Sequence, residues 1–491
     1  MINNKRNKNY SEWYNEIIHK SGLAEFSGIR GFMVIKPYGY SLWEIIKCEL
    51  DKILKESGHQ NIYFPLLISK SIFSKEKKHT NFFSDGCAVV THSRIKKNND
   101  QLIIDFKSKL KEELVIRPTS ESIIWNTYKK WIQSYKDLPI LLNQWGNAIR
   151  WEMRTKLFIR TSEFLWQEGH TAHSSKNEAI IEVKNILNIY TNFLKDFMAI
   201  PVIKGIKPYM DQFHGSENTY CIEALMQDGK SLQIGTTHFL GQNFSKAFHV
   251  KFTNHNGKKD YVWSTSWGMS TRLIGGLIMS HSDDKGLIIP PKIAPVQIVI
   301  IPIYNNEEKN NSFIEIIVKK LISTLNTNNL RIKYDNRKIF SPGWKFNEYE
   351  VKGVPIRIVI GKNEIKEKKI EIFRRDTCKK IYYSLDNNDN LIKFIMDLLN
   401  DIQKNIYKKA LNRTKQSIVK IDCFKKFKDH INNFGGFILS HWDGTSDTGK
   451  IIQKKTEATI RCIPFDYGKE EGKCIYSGKY SPQRVIFSKS Y

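Results

Sequence analysis

Two short blocks, R-P-T-S-E at residues 117–121 and R-W-E at 150–152, carry the residue types of a site that grips anions. Thr119 and Glu121 follow the break at Pro118, on a turn after the strand-like run Leu114–Arg117. Arg150 and Glu152 stand one residue apart, and on a strand that spacing puts both side chains on the same face. A guanidinium held beside a carboxylate suits the joint grip of an anion and a metal. Taken alone, R-x-E reads first as a surface cross-strand ion pair. Arg160 shifts that reading, because it follows a short polar stretch as though a hairpin returned with a second cation. His170 and His173 lie three apart but have no nearby cysteine or third ligand, so they do not read as a metal pair.

Such side chains need rigid elements beneath them. Ser41–Gly58 has helical apolar spacing (Leu42, Ile45, Ile46, Leu50, Ile53, Leu54), ends at a glycine and runs into the extended N-I-Y-F-P-L-L-I. Lys176–Phe197 reads as a long helix. Val262–Thr265 reads as a strand that leads into a helix over Thr271–Met279, with Arg272 near its start. Prolines clustered in Gly286–Pro295 mark a linker. Beyond it strands (V-Q-I-V-I-I-P-I, R-I-K-Y-D, P-I-R-I-V-I-G) alternate with helices (Ser312–Leu325, Trp344–Val351), which predicts a small α/β layer with a largely parallel sheet. A lysine-rich amphipathic helix, Leu391–Leu411, leads to a third region. The expected class is α/β multidomain, divided at 1–288, 289–403 and 404–491.

At 491 residues the chain can bury two or three sizeable cores. No stretch approaches the ~18–20 apolar residues of a membrane span, and the N-terminal residues lack the apolar segment of a secretory signal. Seven scattered cysteines predict free thiols and a cytoplasmic location. A net charge of +27 invites a polyanionic partner. Yet 61 of the 77 basic residues are lysine, alongside abundant Ile and Asn, so part of the excess reads as compositional drift over the whole surface. The scarcity of arginine makes Arg150, Arg160 and Arg272 more informative, since lysine cannot replace a planar, bidentate fork.

The pair R-W-E…F-x-R-T resembles motif 2 of class II aminoacyl-tRNA synthetases. Its flanks, R-P-T-S-E-S, Q-W-G-N-A-I-R-W-E and E-F-L-W-Q-E-G-H-T-A-H, resemble the prolyl-tRNA synthetase family. So do L-Q-I-G-T-T-H-F-L-G-Q-N-F-S (Leu232–Ser245) and the motif-3-like W-G-M-S-T-R-L-I-G (Trp267–Gly275). The likeness runs from about Tyr10 to Tyr491. It implies a class II antiparallel sheet flanked by helices over 1–288, an α/β anticodon-binding domain over 289–403 and a small α+β C-terminal domain over 404–491. The activity implied is ATP-dependent activation of proline, with Mg2+–ATP as substrate, and transfer to tRNA(Pro). The helix and extended run around Ser41 resemble motif 1, which implies a homodimer.

By the same resemblance, Arg150 bridges the substrate carboxylate and the α-phosphate, and Glu152 holds Mg2+ or the adenine amino group. Arg160, Thr161, Gln233, Thr236, Ser270 and Arg272 line the ATP side. Glu121, helped by Thr119, accepts from the secondary ammonium of proline. Trp166, Trp267 and Gly268 form a flat slot for the ring, His238 touches proline, and Glu168 and His170 support the wall. Glu350, Lys352 and Arg357, in P-G-W-K-F-N-E-Y-E-V-K-G-V-P-I-R-I, are the anticodon-facing residues. His170 and Trp267 are too close in sequence for an inserted editing domain, which implies the archaeal/eukaryotic-like form without hydrolysis of alanyl-tRNA in cis. Where relatives bind zinc, the chain offers F-I-L-S-H-W-D-G-T for the first cysteine pair and only Cys474, with Tyr476, for the second, so no zinc is expected. The ending S-K-S-Y resembles one that packs close to the active site. A threonine-specific enzyme would need a pocket zinc whose Cys/His trio is missing here. A non-catalytic tRNA-binding paralogue would be marked by loss of Arg150, Glu152 or Arg272.

Overall fold

Proline at the first helical position and glycine just past the end delimit the helix expected from Ser41. In the computed structural model, which describes residues 2–75, 84–304, 308–326 and 329–491, it runs Pro37–Glu56 and buries Leu42, Trp43, Ile46, Leu50 and Leu54. Pro37 needs no intrahelical donor, and Gly58 takes the left-handed φ of +95° that closes the helix. The following N-I-Y-F-P-L-L-I is not one strand. Only Gln60–Asn61 and Leu67–Ser69 pair, on different sheets, because Pro65 between them has no N–H for a ladder.

Tyr10–Lys20 is α1, Pro37–Glu56 α2, Glu121–Trp131 α3, Lys176–Asp196 α4 and Arg272–His281 α5. The strands of the first unit are Ile140–Ile149 (β1), Glu163–His173 (β2), Ile203–Ile206 (β3), Asn218–Leu225 (β4), Ser231–Gly241 (β5) and Trp263–Ser270 (β6). They lie in the order β3-β4-β5-β6-β2-β1, all antiparallel, with Gln60–Asn61 parallel at the β1 edge. Ile186, Tyr190 and Phe193 of α4 pack with Trp267 and Met269 of β6 and with Trp13, Tyr14 and Ile17 of α1. Each such side chain contributes about 1.5–3 kcal/mol when fully buried. That core covers one face of the sheet and leaves the other for a site.

The second unit holds Ile298–Pro302 (β7), Glu308–Asn326 (α6), Ile332–Tyr334 (β8), Pro342–Val351 (α7), Ile356–Ile360 (β9), Lys369–Arg374 (β10), Lys379–Ser384 (β11) and Leu391–Gln416 (α8). Its order is β8-β7-β9-β10-β11. β7 is parallel to both β8 and β9, the strands reached through α6 and α7. By contrast, β10 runs antiparallel to β9 after the short helix Lys362–Lys366, and β11 runs antiparallel to β10 because a short turn can only return the chain that way. The sheet is therefore mixed rather than largely parallel. The expected division at 403/404 falls inside α8, an unbroken helix of 26 residues.

The last region contributes Ile418–Lys420 (β12), Phe437–His441 (β13), Thr459–Pro464 (β14) and Arg484–Ser488 (β15). They follow the order β12-β13-β15-β14, and β14 pairs with β3 (Gly205↔Pro464, Ile206↔Ile463), so both regions share one eleven-stranded sheet. Gly205 makes the seam possible: a Cβ there would stand 2.5 Å from the Ile463 carbonyl and 2.7 Å from Cys462 Sγ. In the loops where the resemblance places zinc, Asp443 accepts from Thr445 (2.8 Å), Thr448 (2.8 Å) and Ser477 (2.6 Å). Cys474 is buried, and Tyr476 bonds to Lys455 (3.0 Å). Among the described residues no helix is long and apolar enough to cross a membrane.

Candidate active site

Strand alternation builds the site. Trp166, Glu168 and His170 on β2 stand opposite Ser270, Gly268 and Ser266 on β6, and the last two stand opposite Thr236 and His238 on β5. Residues two apart share a face, so these side chains project from the face that α4 does not cover. They border a cleft of about 800 Å3.

Its floor is a buried carboxylate network. Glu168 is 1% exposed. It accepts from Ser120 Oγ, Ser120 N (3.3 Å) and Gln144 Nε2 (2.7 Å), and pairs with His170 Nε2 (3.2 Å). Burial alone would push its carboxyl up, but the His170 bond and charge, with Ser120 and Arg117, hold it below the ordinary value. Burial likewise opposes charge on His170, yet the bond to Glu168 and the charges of Glu121 and Glu168 raise its pKa. His170 therefore lends its full stabilisation below about pH 6.5 and loses it as pH rises through the raised value, whereas Glu168 contributes above about pH 4.3 and loses it as pH falls. The denaturation midpoint should decline as pH rises above that histidine value, and Glu168→Gln should flatten this decline. Parallel slopes for the two proteins would show that the pair does not act this way.

Glu121 is the first residue of α3 rather than part of a loop, and Thr119 Oγ1 donates to its carboxylate. Arg150 anchors through Nε to the Pro118 carbonyl (2.8 Å) and lies 5.3 Å from the Phe164 ring centroid and 5.2 Å from that of Trp166. Such contacts hold the guanidinium plane by cation–π attraction. The strand reading of R-W-E is corrected. β1 ends at Ile149, and Arg150 and Glu152 open the loop that precedes β2. There Glu152 takes the Arg154 N–H (2.7 Å) and gives its own N–H to Ser162 Oγ (3.1 Å). Arg160 returns through a single bridge to Lys156 after a turn at Phe158, whose φ is +61°; Thr161 follows it into the cleft.

Gly268 leaves space beside Trp166: a Cβ there would stand 3.4 Å from the indole. Trp267 is a correction. Its ring lies on the core side, within 2.1 Å of where a Gly169 Cβ would stand and edge-on to His59 and Tyr190. It supports the sheet from behind instead of walling a slot. His238 bonds Thr219 Oγ1 (3.0 Å) and stacks on Phe213 at 4.4 Å. Burial, with His170 and Arg150 nearby, lowers its pKa to about 3, so it is neutral at physiological pH.

On the far side Arg272 opens α5, donating to the carbonyls of Ile159 (3.2 Å) and Gln233 (3.4 Å), while its own N–H goes to Ser270 Oγ (3.2 Å). Burial and the cations Arg150, Arg160 and Arg461 lower its pKa to about 10. Half-buried arginines that repel one another, Arg150, Arg160 and Arg272, fit a place built for a polyanion. Phe213, Lys156 and Arg461 were not singled out by the sequence. Lys156 Nζ sits over the rings of Tyr14 (4.7 Å) and Tyr491 (4.8 Å), and Tyr491 OH donates to Asp228 (2.6 Å).

Residues 104–281 match the class II core domain of tRNA synthetases (G, H, P, S and T), 297–395 an anticodon-binding domain and 424–491 a prolyl-tRNA synthetase C-terminal domain. A proline–tRNA ligase of Porphyromonas gingivalis is 54% identical over 488 residues, covering 99% of this chain and 98% of the relative. Those of Flavobacterium psychrophilum and Cytophaga hutchinsonii are each 53% identical over 489 residues, with 99% of both chains covered. The chain belongs to the prolyl-tRNA synthetase family.

In this synthetase the residues expected to face the anticodon are largely engaged within the protein. Arg357 is 7% exposed between the rings of Phe346 (4.1 Å) and Phe373 (4.3 Å), and its Nε has no acceptor among the described residues. Glu350 lies 3.4 Å from Lys285. Lys352 Nζ donates to Glu348 (2.7 Å), and its carbonyl accepts from Tyr38 OH of α2 (2.9 Å).

Proposed function

We propose that this chain activates L-proline with Mg2+–ATP in the cleft and transfers the prolyl group to tRNA(Pro), in the cytoplasm, as a homodimer joined through α2. The observation that carries the reading is the cleft over the open sheet face, where Glu168 on β2 meets Arg150 from the β1–β2 loop, Glu121 from α3 and Arg272 from α5. One end suits a cyclic ammonium carboxylate and the other a triphosphate.

In the first step the prolyl carboxylate oxygen attacks the α-phosphorus in line, the new C–O–P bond forms and pyrophosphate leaves. Both reactants are anions, so the work is positioning and charge neutralisation, and no protein nucleophile is required. Arg150 spans the two reacting groups. Glu121 with Thr119 receives the NH2+ of proline, Gly268 opens room for the ring against Trp166, and neutral His238, stacked on Phe213, closes the end. Arg160, Thr161, Gln233, Thr236, Ser270 and Arg272 hold the nucleotide. Mg2+ arrives with the phosphates, a habit of an ion that keeps most of its water and takes one or two carboxylates; Glu152 is the carboxylate offered. In the second step the tRNA hydroxyl displaces AMP from the adenylate. Glu350, Lys352 and Arg357 are assigned to the anticodon side.

Amino-acid-dependent ATP–pyrophosphate exchange across all twenty amino acids tests the reading. Exchange with proline, and weaker exchange with alanine, is expected, because a smaller apolar ligand loses only ~1–3 kcal/mol. Silence from folded protein that binds tRNA would favour a binding module. Tyr491→Ala should lower exchange more than it lowers stability, since the ring lies between Lys156 and Lys230 (5.2 Å) beside the cleft. Unchanged kinetics with an unchanged denaturation midpoint would remove Tyr491 from the site.

A further inference from the structure

Outside the proline pocket, three strands meet at one buried carboxylate. Glu223 on β4 has no exposed surface. Arg461 on β14 grips it with two bonds, Nε to Oε2 and Nη2 to Oε1, both 3.1 Å. Lys207, just past β3, donates Nζ to Oε1 (2.9 Å), and Ser231, at the start of β5, donates Oγ to Oε2 (2.6 Å). Lys207 also donates to the Arg461 carbonyl (2.7 Å), and Arg461 Nη1 donates to Thr459 Oγ1 (3.1 Å). Two cations thus share Glu223, with Asp211 close enough to feel both. The cations are spent on protein groups, so the cluster reads as a fastening rather than a second anion site.

The fastening sits on an irregularity. Ile222 pairs with Gly235, but Glu223 pairs with Gln233, so Ile234 is an extra residue on β5. Bulges next to active sites re-aim the chain beyond them. The group re-aimed here is Gln233, whose carbonyl accepts from Arg272 Nη1 (3.4 Å). Arg461 itself borders the same cleft as Gln233, Arg272 and Tyr491.

We propose that Arg461 is a positioning residue for amino-acid activation: by clamping Glu223 at the β4–β5 bulge it fixes Gln233, and through Gln233 the nucleotide-facing Arg272. The C-terminal region then serves the ATP half of the reaction before any tRNA is engaged. This rests on the reading that Gln233 and Arg272 face ATP.

Pyrophosphate exchange by Arg461→Gln, Arg461→Lys and Arg272→Ala, with KM measured separately for ATP and proline, tests it. Loss of charge-assisted bonds predicts that Arg461→Gln raises KM for ATP about tenfold or more while KM for proline stays within about twofold. Arg461→Lys should recover part of the loss, because it keeps the charge and gives up the fork. Equal weakening of ATP and proline, or no change in either, would overturn the proposal. If Arg272→Ala also leaves KM for ATP unchanged, the nucleotide reading itself fails; if only Arg272→Ala raises it, the reading stands and the proposal falls. Should Arg461→Gln not fold, Ser231→Ala removes one neutral donor from Glu223 and carries the same test, supported by a selective rise in KM for ATP and refuted by its absence.

Discussion

Arg150→Ala should lower proline-dependent ATP–pyrophosphate exchange about 10²–10³-fold, the usual cost of deleting one preorganised charge contact. The reasons are geometric. Its Nε is held by the Pro118 carbonyl, which ties the guanidinium to the turn bearing Thr119 and Glu121. Phe164 and Trp166 fix its plane. An arginine so constrained reorganises little when two anions approach, and preorganisation is what distinguishes transition-state stabilisation from mere attraction. Arg150→Lys should recover little, since an ammonium keeps the charge but neither the stacking nor the fork. An alanine variant keeping more than about a tenth of the exchange rate would be incompatible with a transition-state role of this size.

Glu168→Leu should be the costliest change to the fold of the pocket. Removing one partner of a buried ion pair costs roughly 3–5 kcal/mol, because the other is left charged without compensation. Here His170 would be left with the more distant Glu121, Ser120 Oγ would lose the carboxylate it donates to, and Gln144 Nε2 would be left with the longer bond to Ser120 Oγ (3.2 Å). Glu168→Gln should cost less, because an amide oxygen still accepts from Ser120 and Gln144. Denaturation midpoints for the two variants decide the matter, and a Glu168→Leu loss below about 1 kcal/mol would show that the carboxylate does not carry the floor.

The family resemblance named the site residues in the sequence, and the alternation of side chains along two strands accounts for how the fold brings them to one cleft. Glu168 and His170, like Gly268 and Ser270, fall on one face by spacing alone. The same rule, applied to S-W-G-M-S, separates Trp267 from Gly268, and its aromatic character hid that signal. The R-W-E spacing misled in the opposite direction, since β1 stops at Ile149 and a loop carries Arg150 and Glu152. The mixed sheet of the second unit needed the short β10–β11 turn to be recognised as a hairpin. Lys156, Phe213 and Arg461 had no local signature. Phe213 lines the cleft by stacking on His238 and Arg461 through the pairing of β14 with β3, a partnership that no window of sequence contains, while Lys156 stands beside the cleft over Tyr491.

The β14–β3 seam also carries a time. β3 is complete at Ile206, but the strand that covers its edge comes roughly 250 residues later. At a synthesis rate of about 5–20 residues per second, the catalytic half waits on the order of 10–50 s with bare N–H and C=O groups along that edge. An uncovered edge is a template for pairing with any neighbouring chain. For this protein the hazardous interval lies on the ribosome, and it ends only when the distant strand docks.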